Sequence, residues 1–199
     1  MSVRRTLAWA GIAAAALAAA GASSAEDLAA AKEKARACFA CHGEGGISRA
    51  PETPSLAGQP DNFIQWQLVY FRSQTRKVEV MNAIASALSD ADIRGLGAYL
   101  SSLPPPQPPG EPDDRPELTR AGAELARRNH CASCHTERFV GQGAIARLAN
   151  QQERYLLKAL RDFKSGVRRG GGVAAMPDAV YPLGDDDLRA LAHYLARFR

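Results

Sequence analysis

All four cysteines of this chain fall in two copies of one pentapeptide, Cys38-Phe39-Ala40-Cys41-His42 and Cys131-Ala132-Ser133-Cys134-His135. That repetition demands the same local geometry twice. Two cysteines three apart, followed at once by histidine, put both thiols and the imidazole on one side of a helical turn. The string reads as a covalent c-type haem attachment site, with thioethers to two vinyl groups and the histidine as proximal iron ligand. A thioredoxin-type redox pair and a four-cysteine zinc site are the competing readings. Neither calls for a histidine directly after both second cysteines, and a separation of 93 residues does not suit a compact zinc knuckle. Cys38, Cys41 and His42 are therefore assigned to one haem c, and Cys131, Cys134 and His135 to a second.

The repetition extends far beyond the pentapeptides. Leu56-Ala57-Gly58-Gln59 is answered by Leu148-Ala149-Asn150-Gln151, Phe63 by Tyr155, Leu68 by Leu160, Phe71 by Phe163 and Arg76 by Arg168, all at an offset of 92. Met81 is answered by Met176, Leu88 by Leu183, Leu96 by Leu191 and Tyr99 by Tyr194 at an offset of 95. Matching order with small changes of spacing is a duplicated domain with loop insertions. Each copy reads as helical. The pattern predicts a first helix over Leu28 to Ala37, or Glu117 to Arg128 in the second copy. A middle helix carries Phe63, Trp66, Leu68 and Phe71, or Leu156, Leu157, Leu160 and Phe163. A last helix, capped by Asp90 or Asp185, places Ile93, Leu96, Gly97 and Leu100, or Leu188, Leu191, Ala192 and Leu195, at i, i+3, i+4 and i+7. No segment alternates as a strand.

Between the copies, seven of the thirteen residues from Pro104 to Pro116 are proline. Proline favours extended polyproline II, so the stretch reads as a semi-rigid spacer. The expected domains are 26–103 and 117–199, joined by 104–116. Residues 1–25 read as a signal peptide. Arg4 and Arg5 precede an apolar run from Leu7 to Ala20, and Ser23-Ser24-Ala25 offers small residues for cleavage. The run is too short and alanine-rich for a bilayer span, and export places the mature protein in the periplasm. The first domain carries 8 basic and 9 acidic side chains and the second 14 and 9, an asymmetry that can steer an acidic partner. No nucleic-acid motif accompanies the scattered arginines.

Beyond the initiator, the only methionines are Met81 and Met176, which follow His42 and His135 by 39 and 41 residues. A lone methionine is ordinarily core filler. One per copy at matching positions marks a sixth ligand, whose thioether raises the reduction potential relative to a second histidine. His130 and His193 read as surface residues, with His193 partly exposed. A carbonyl near Pro54 and Leu56 is expected to accept the His42 ring proton, with Ala146 at the Pro54 position of the second copy. Tyr99 and Tyr194 are expected between first and last helices, and Gly122 at a close approach. Arg76 and Arg168 pair with haem propionates or are solvated.

Taken together, Cys38 to Gly43, Pro54 to Gln59, Gln67-Leu68, Phe71 to Arg76, Met81, Leu88 to Asp90 and Tyr99 resemble the dihaem cytochromes c4. So do Cys131 to His135, Leu148 to Gln151, Tyr155, Phe163 to Gly166, Met176 and Tyr194 in the second copy. The resemblance spans nearly all of residues 28–199. It implies an all-α fold of two tandem cytochrome c-like domains, each a small helical bundle around one covalently bound haem. It implies a periplasmic electron carrier, soluble or loosely membrane-associated, delivering electrons toward a terminal oxidase or another respiratory acceptor. Its partners would be redox proteins such as a quinol-cytochrome c reductase, a terminal oxidase or a small periplasmic carrier. An electron-transfer subunit of a dehydrogenase or oxidase complex is the second reading. A dihaem peroxidase is the third, and His/Met ligation, which closes both irons, argues against an enzyme. The chain departs from the family in its long proline-rich joint, in Thr136-Glu137 where a glycine usually follows the haem histidine, and in Arg169-Gly170-Gly171-Gly172 before Met176.

Overall fold

A computed structural model describes residues 27–168 and 175–199; the expected signal peptide and the Arg169–Gly172 stretch lie outside the described residues. Helix α1 spans residues 27–42 and is followed by a short 3-10 turn at Glu44–Gly46. Then come α2 (Asp61–Arg72), α3 (Glu79–Ser86) and α4 (Asp90–Ser102). The second lobe contains α5 (Pro116–Arg128), α6 (Ala132–His135), α7 (Glu153–Lys164), α8 (Ala175–Val180) and α9 (Asp185–Ala196). Among the described residues the one β-type pairing is an isolated bridge between Gln142 and Ile145. The fold is all-α, in two tandem lobes.

The first and last helices of each lobe approach closely because a small residue sits at the crossing. In lobe two, a methyl group placed on Gly122 of α5 would lie 2.2 Å from the Ala190 carbonyl oxygen of α9, as the sequence suggested. In lobe one the glycine has changed helices. Gly95 of α4 meets Ala31 of α1, where an added methyl would be 3.1 Å from the alanine side chain. Tyr194 packs edge-on against Phe139 and Phe198 beside this crossing.

The lobes bury different amounts of protein. Lobe one gathers Ala35, Ile64, Leu96 and Leu100, flanked by Phe39, Leu56, Leu68 and Tyr99. Lobe two gathers twelve buried side chains, among them Phe139, Leu156, Phe163, Leu188, Leu191 and Leu195. Lobe one also buries Ala31, Ala57, Phe71, Ala85 and Ile93 outside that cluster, and apolar burial is the main stabilising force for so small a unit.

Two expectations need correction. Asp90 and Asp185 do not cap the last helices. Ser89 caps α4, its Oγ accepting the Asp92 amide at 3.1 Å while Asp92 accepts the Ser89 amide at 2.9 Å, a reciprocal capping box. Gly184 precedes α9, with its amide donated to Asp187. Asp90 instead pairs with Arg72, and Asp185 with Arg161 and Arg189. The second correction concerns His193, which is fully buried, not partly exposed. Its Nδ1 faces Glu153 at 3.0 Å and its Nε2 faces Asp113 at 2.9 Å. The end of the proline-rich stretch covers this face of α9: Arg197 donates to the carbonyls of Glu111 and Pro112, and Thr119 donates to Asp113. The spacer is therefore strapped to lobe two, and α9 is buried on two faces where an amphipathic reading allows one.

The capping box also sets an acid limit for lobe one. Lys34 donates to Asp92 at 2.5 Å, and that bond together with the Ser89 bonds lowers the Asp92 carboxyl to about 2. Its folded value lies below its ordinary one, so its stabilising contribution is present above about pH 4 and is lost as pH falls toward 2. We expect Asp92→Asn to lower the denaturation midpoint at pH 6 and to close most of its difference from wild type by pH 2, as followed by urea titration across that range.

Candidate haem-binding sites

In lobe one, α1 continues through the whole pentapeptide, so Cys38, Cys41 and His42 share one helix end. In lobe two, α5 stops at Arg128, His130 takes a left-handed φ of 52°, and the short α6 carries the second motif. His130 is exposed, as expected. None of the four cysteines is in a disulfide; Cys38 and Cys131 are half-buried and Cys41 and Cys134 are exposed. Burial pushes the Cys38 and Cys131 thiols up.

Both histidines are buried, and each is held by a backbone carbonyl. His42 Nδ1 donates to the Pro54 oxygen at 2.8 Å, and His135 Nδ1 donates to the Ala146 oxygen at 2.8 Å. Each bond fixes the ring's orientation and tautomer, and leaves Nε2 as the nitrogen that could ligate a metal. Burial lowers both imidazoles and the carbonyl bond partly opposes that, so the neutral, ligating form is favoured. The carbonyls are presented by matching loops. In lobe one the Gly46 oxygen accepts the amides of Leu56 and Ala57 at 2.7 and 3.1 Å; in lobe two the Phe139 oxygen accepts those of Leu148 and Ala149 at 2.8 and 3.0 Å.

Met81 lies on α3 and Met176 on α8, both half-buried, with Met176 against the lobe-two core. The sequence pattern did not reveal these two helices. Asn82, which gave no sequence signal, pins the start of α3. Its amide donates to the oxygens of Phe71 and Arg76 at 2.6 and 2.8 Å, and its Oδ1 accepts the Val78 amide at 2.7 Å. The matching position after Met176 is Pro177, which offers no such side chain.

Arg76 and Arg168 come together at the lobe boundary, each lying over the phenylalanine of its own lobe at 4.5 Å. Both donate to Gln67 Oε1, at 2.7 and 3.0 Å, and Arg76 also reaches the Tyr155 hydroxyl at 3.3 Å. Neither guanidinium has a carboxylate within ion-pair distance among the described residues. Burial pushes the Tyr155 phenol up, but the two arginines outweigh it and bring it to about 8; burial brings Arg168 down to about 10. Such a surplus of buried positive charge suits anionic groups. Four cysteines outside any disulfide, two buried imidazoles whose Nδ1 alone is hydrogen-bonded, and this cationic boundary suit two propionate-bearing haems.

A helical lobe with this constellation, repeated in tandem, defines a c-type cytochrome with two haems. Residues 119–198 match the family model described as Cytochrome c, and residues 23–100 match that described as Cytochrome C oxidase, cbb3-type, subunit III. The chain is 33% identical to cytochrome c4 of Azotobacter vinelandii, over 87% of this chain and 90% of that protein. It is 34% identical to a thiosulfate dehydrogenase electron acceptor of Thiomonas intermedia, over 84% and 81%. Reduced cytochrome c4 from Pseudomonas stutzeri superposes with a TM-score of 0.78 at 30% identity, covering 85% of this chain and 97% of that one. The chain belongs to the cytochrome c4 family. It carries two covalently bound haem c groups, one per domain, and is a dihaem electron carrier that works with redox partners.

The residue after each pentapeptide shows what the second copy tolerates. Gly43 has φ 82° and ψ 162°, and Thr136 has φ 70° and ψ 159°. That region is almost confined to glycine, and a side chain held there costs about 1–3 kcal/mol. The Thr136 Oγ1 accepts the Val140 amide at 3.3 Å, a weak return. Thr136→Gly is expected to stabilise the protein by about 1 kcal/mol after the added freedom of the unfolded chain is deducted, read as a higher midpoint in chemical denaturation.

Proposed function

We propose that Cys38 and Cys41 attach one haem and Cys131 and Cys134 the other, each thiol adding across a vinyl group. His42 and His135 would ligate iron through Nε2, and Met81 and Met176 would each supply a thioether ligand. The observation that carries this reading is the pair of buried imidazoles, each with Nδ1 bonded to a loop carbonyl at 2.8 Å. When bound, the haems supply one-electron Fe(III)/Fe(II) chemistry. The protein holds the histidines neutral and oriented, and it places Arg76 and Arg168 to neutralise propionates. The methionine thioethers close the sixth positions, which leaves no site for a substrate and makes the chain a carrier, not an enzyme.

In this reading residues 1–25 are a cleaved signal peptide, 26–103 and 117–199 are the two domains, and 104–116 joins them. The mature protein works in the periplasm and passes electrons toward a terminal oxidase or another respiratory acceptor. No helix of the described residues is long and apolar enough to cross a membrane. Likeness to a protein named for accepting electrons from thiosulfate dehydrogenase favours a second reading, in which this chain is the acceptor of a dehydrogenase. Native purification separates the two: a stable stoichiometric partner supports the second.

The ligand assignment is tested on the mature holoprotein. We expect two haems per chain by pyridine haemochrome, and the long-wavelength charge-transfer band of ferric His/Met haem from both. Met81→His or Met176→His should each remove about half of that band and lower the potential of one haem only. An unchanged band would sink the assignment.

A further inference from the structure

The two lobes are joined by a reciprocal pair of glutamine amides. Gln151 of lobe two accepts the Ser55 amide on Oε1 at 2.7 Å and donates from Nε2 to the Ser55 oxygen at 2.8 Å. Gln59 of lobe one does the same to Arg147, accepting its amide at 3.0 Å and donating to its oxygen at 3.0 Å. Both side chains are buried, at 5% and 4% exposure for Gln59 and Gln151. Ser55 and Arg147 each follow the residue whose carbonyl holds a haem histidine. The Ser55 N–H and the Pro54 C=O belong to one peptide group, as do the Arg147 N–H and the Ala146 C=O. Each such peptide therefore accepts a bond from one lobe's imidazole and donates a bond to the other lobe's glutamine.

We propose that Gln59 and Gln151 are positioning residues that act across the lobe boundary, each setting the donor strength of the other lobe's haem histidine through a single peptide group. The inference rests on His42 and His135 being the iron ligands. Hydrogen bonds in a chain polarise one another. Donation of the Ser55 N–H to Gln151 makes the Pro54 oxygen a stronger acceptor for the His42 Nδ1–H. A stronger acceptor makes the imidazole a better donor to iron and favours Fe(III). Loss of the glutamine raises the potential of the haem in the opposite lobe.

The two grips are unequal. The Gln152 amide also donates to Gln151 Oε1 at 2.9 Å, and its side chain donates to the Ser48 oxygen. Its counterpart beside Gln59 is Pro60, which has no N–H. The Ser48 bond thus adds to the docking of the lobes without touching the peptide that holds His42.

The test is a redox titration of the holoprotein followed by NMR, with each haem's resonances assigned separately. Gln151→Ala should change the Fe(III)/Fe(II) ratio of the lobe-one haem about threefold toward Fe(II) at fixed potential, or about 30 mV for one electron. Gln59→Ala should act in the same sense on the lobe-two haem. Gln151→Glu keeps an acceptor for the Ser55 amide and should move the lobe-one haem the other way. In the diamagnetic ferrous state, the His42 Nδ1–H resonance should move upfield in Gln151→Ala and stay in place in Gln59→Ala. Gln152→Ala controls for loosening: it removes the Ser48 bond, keeps the Ser55 grip, and should leave both potentials unchanged. Equal shifts at both haems, shifts confined to the mutated lobe, or the same shift in Gln152→Ala would overturn the proposal. Those outcomes with the His/Met bands intact reject the glutamine linkage alone. A wild-type holoprotein in which His42 and His135 give no iron-bound imidazole resonances rejects the ligand assignment beneath it.

Discussion

Everything at either haem site depends on one carbonyl being in the right place. An imidazole at a helix end is free to rotate unless its second nitrogen is held, and here the holding group comes from a loop 11 or 12 residues farther along the chain. That loop is closed by its own backbone, through the paired amides that bond the Gly46 and Phe139 oxygens. The last helix then ties it down, since the Gly58 amide donates to the Leu100 oxygen and the Asn150 amide to the Leu195 oxygen. The same loop forms the lobe boundary on its other face. Histidine orientation, loop closure and lobe docking thus share one short segment, and a disturbance of one is felt by the others.

Duplication did not produce two equal sites. Lobe two has the larger apolar core, a break before its pentapeptide, a threonine in a glycine conformation and a proline where lobe one has the pinning Asn82. Lobe one has the uninterrupted attachment helix and Gln67, which receives both boundary arginines. Tyr155 occupies the position of Phe63, so the hydroxyl between the guanidiniums also exists on one side only. An electron shared by the lobes meets two environments that differ in hydrogen bonding and in packed volume.

Residues that act through local spacing were legible before any fold was known. The pentapeptides, the carbonyl expected beside Pro54 and the close approach at Gly122 all follow from short-range rules. His193 was misread because its neighbours on α9 suggest one buried face, while the strap at Asp113 buries a second. The helix caps were misassigned by one residue: Ser89 takes the cap ahead of Asp90, and Gly184 stands at the cap of α9 with no side chain to signal it. The α3 and α8 helices are too short to show a periodic pattern, and Asn82 makes its bonds to backbone atoms that spacing alone does not place.

The chain by itself determined that there are two haem attachment motifs, that they belong to two copies of one helical unit, and that each copy has one thioether to offer. These follow from covalent spacing and helical periodicity, which act within a few turns. Only the tertiary structure decided how the copies meet. Gln59 and Arg147 are 88 residues apart, and Gln151 and Ser55 are 96 apart. Their bonds exist because two similar surfaces dock with their haem loops facing, and hydrogen-bond partners so distant in sequence are selected by shape, burial and the need to satisfy buried amides.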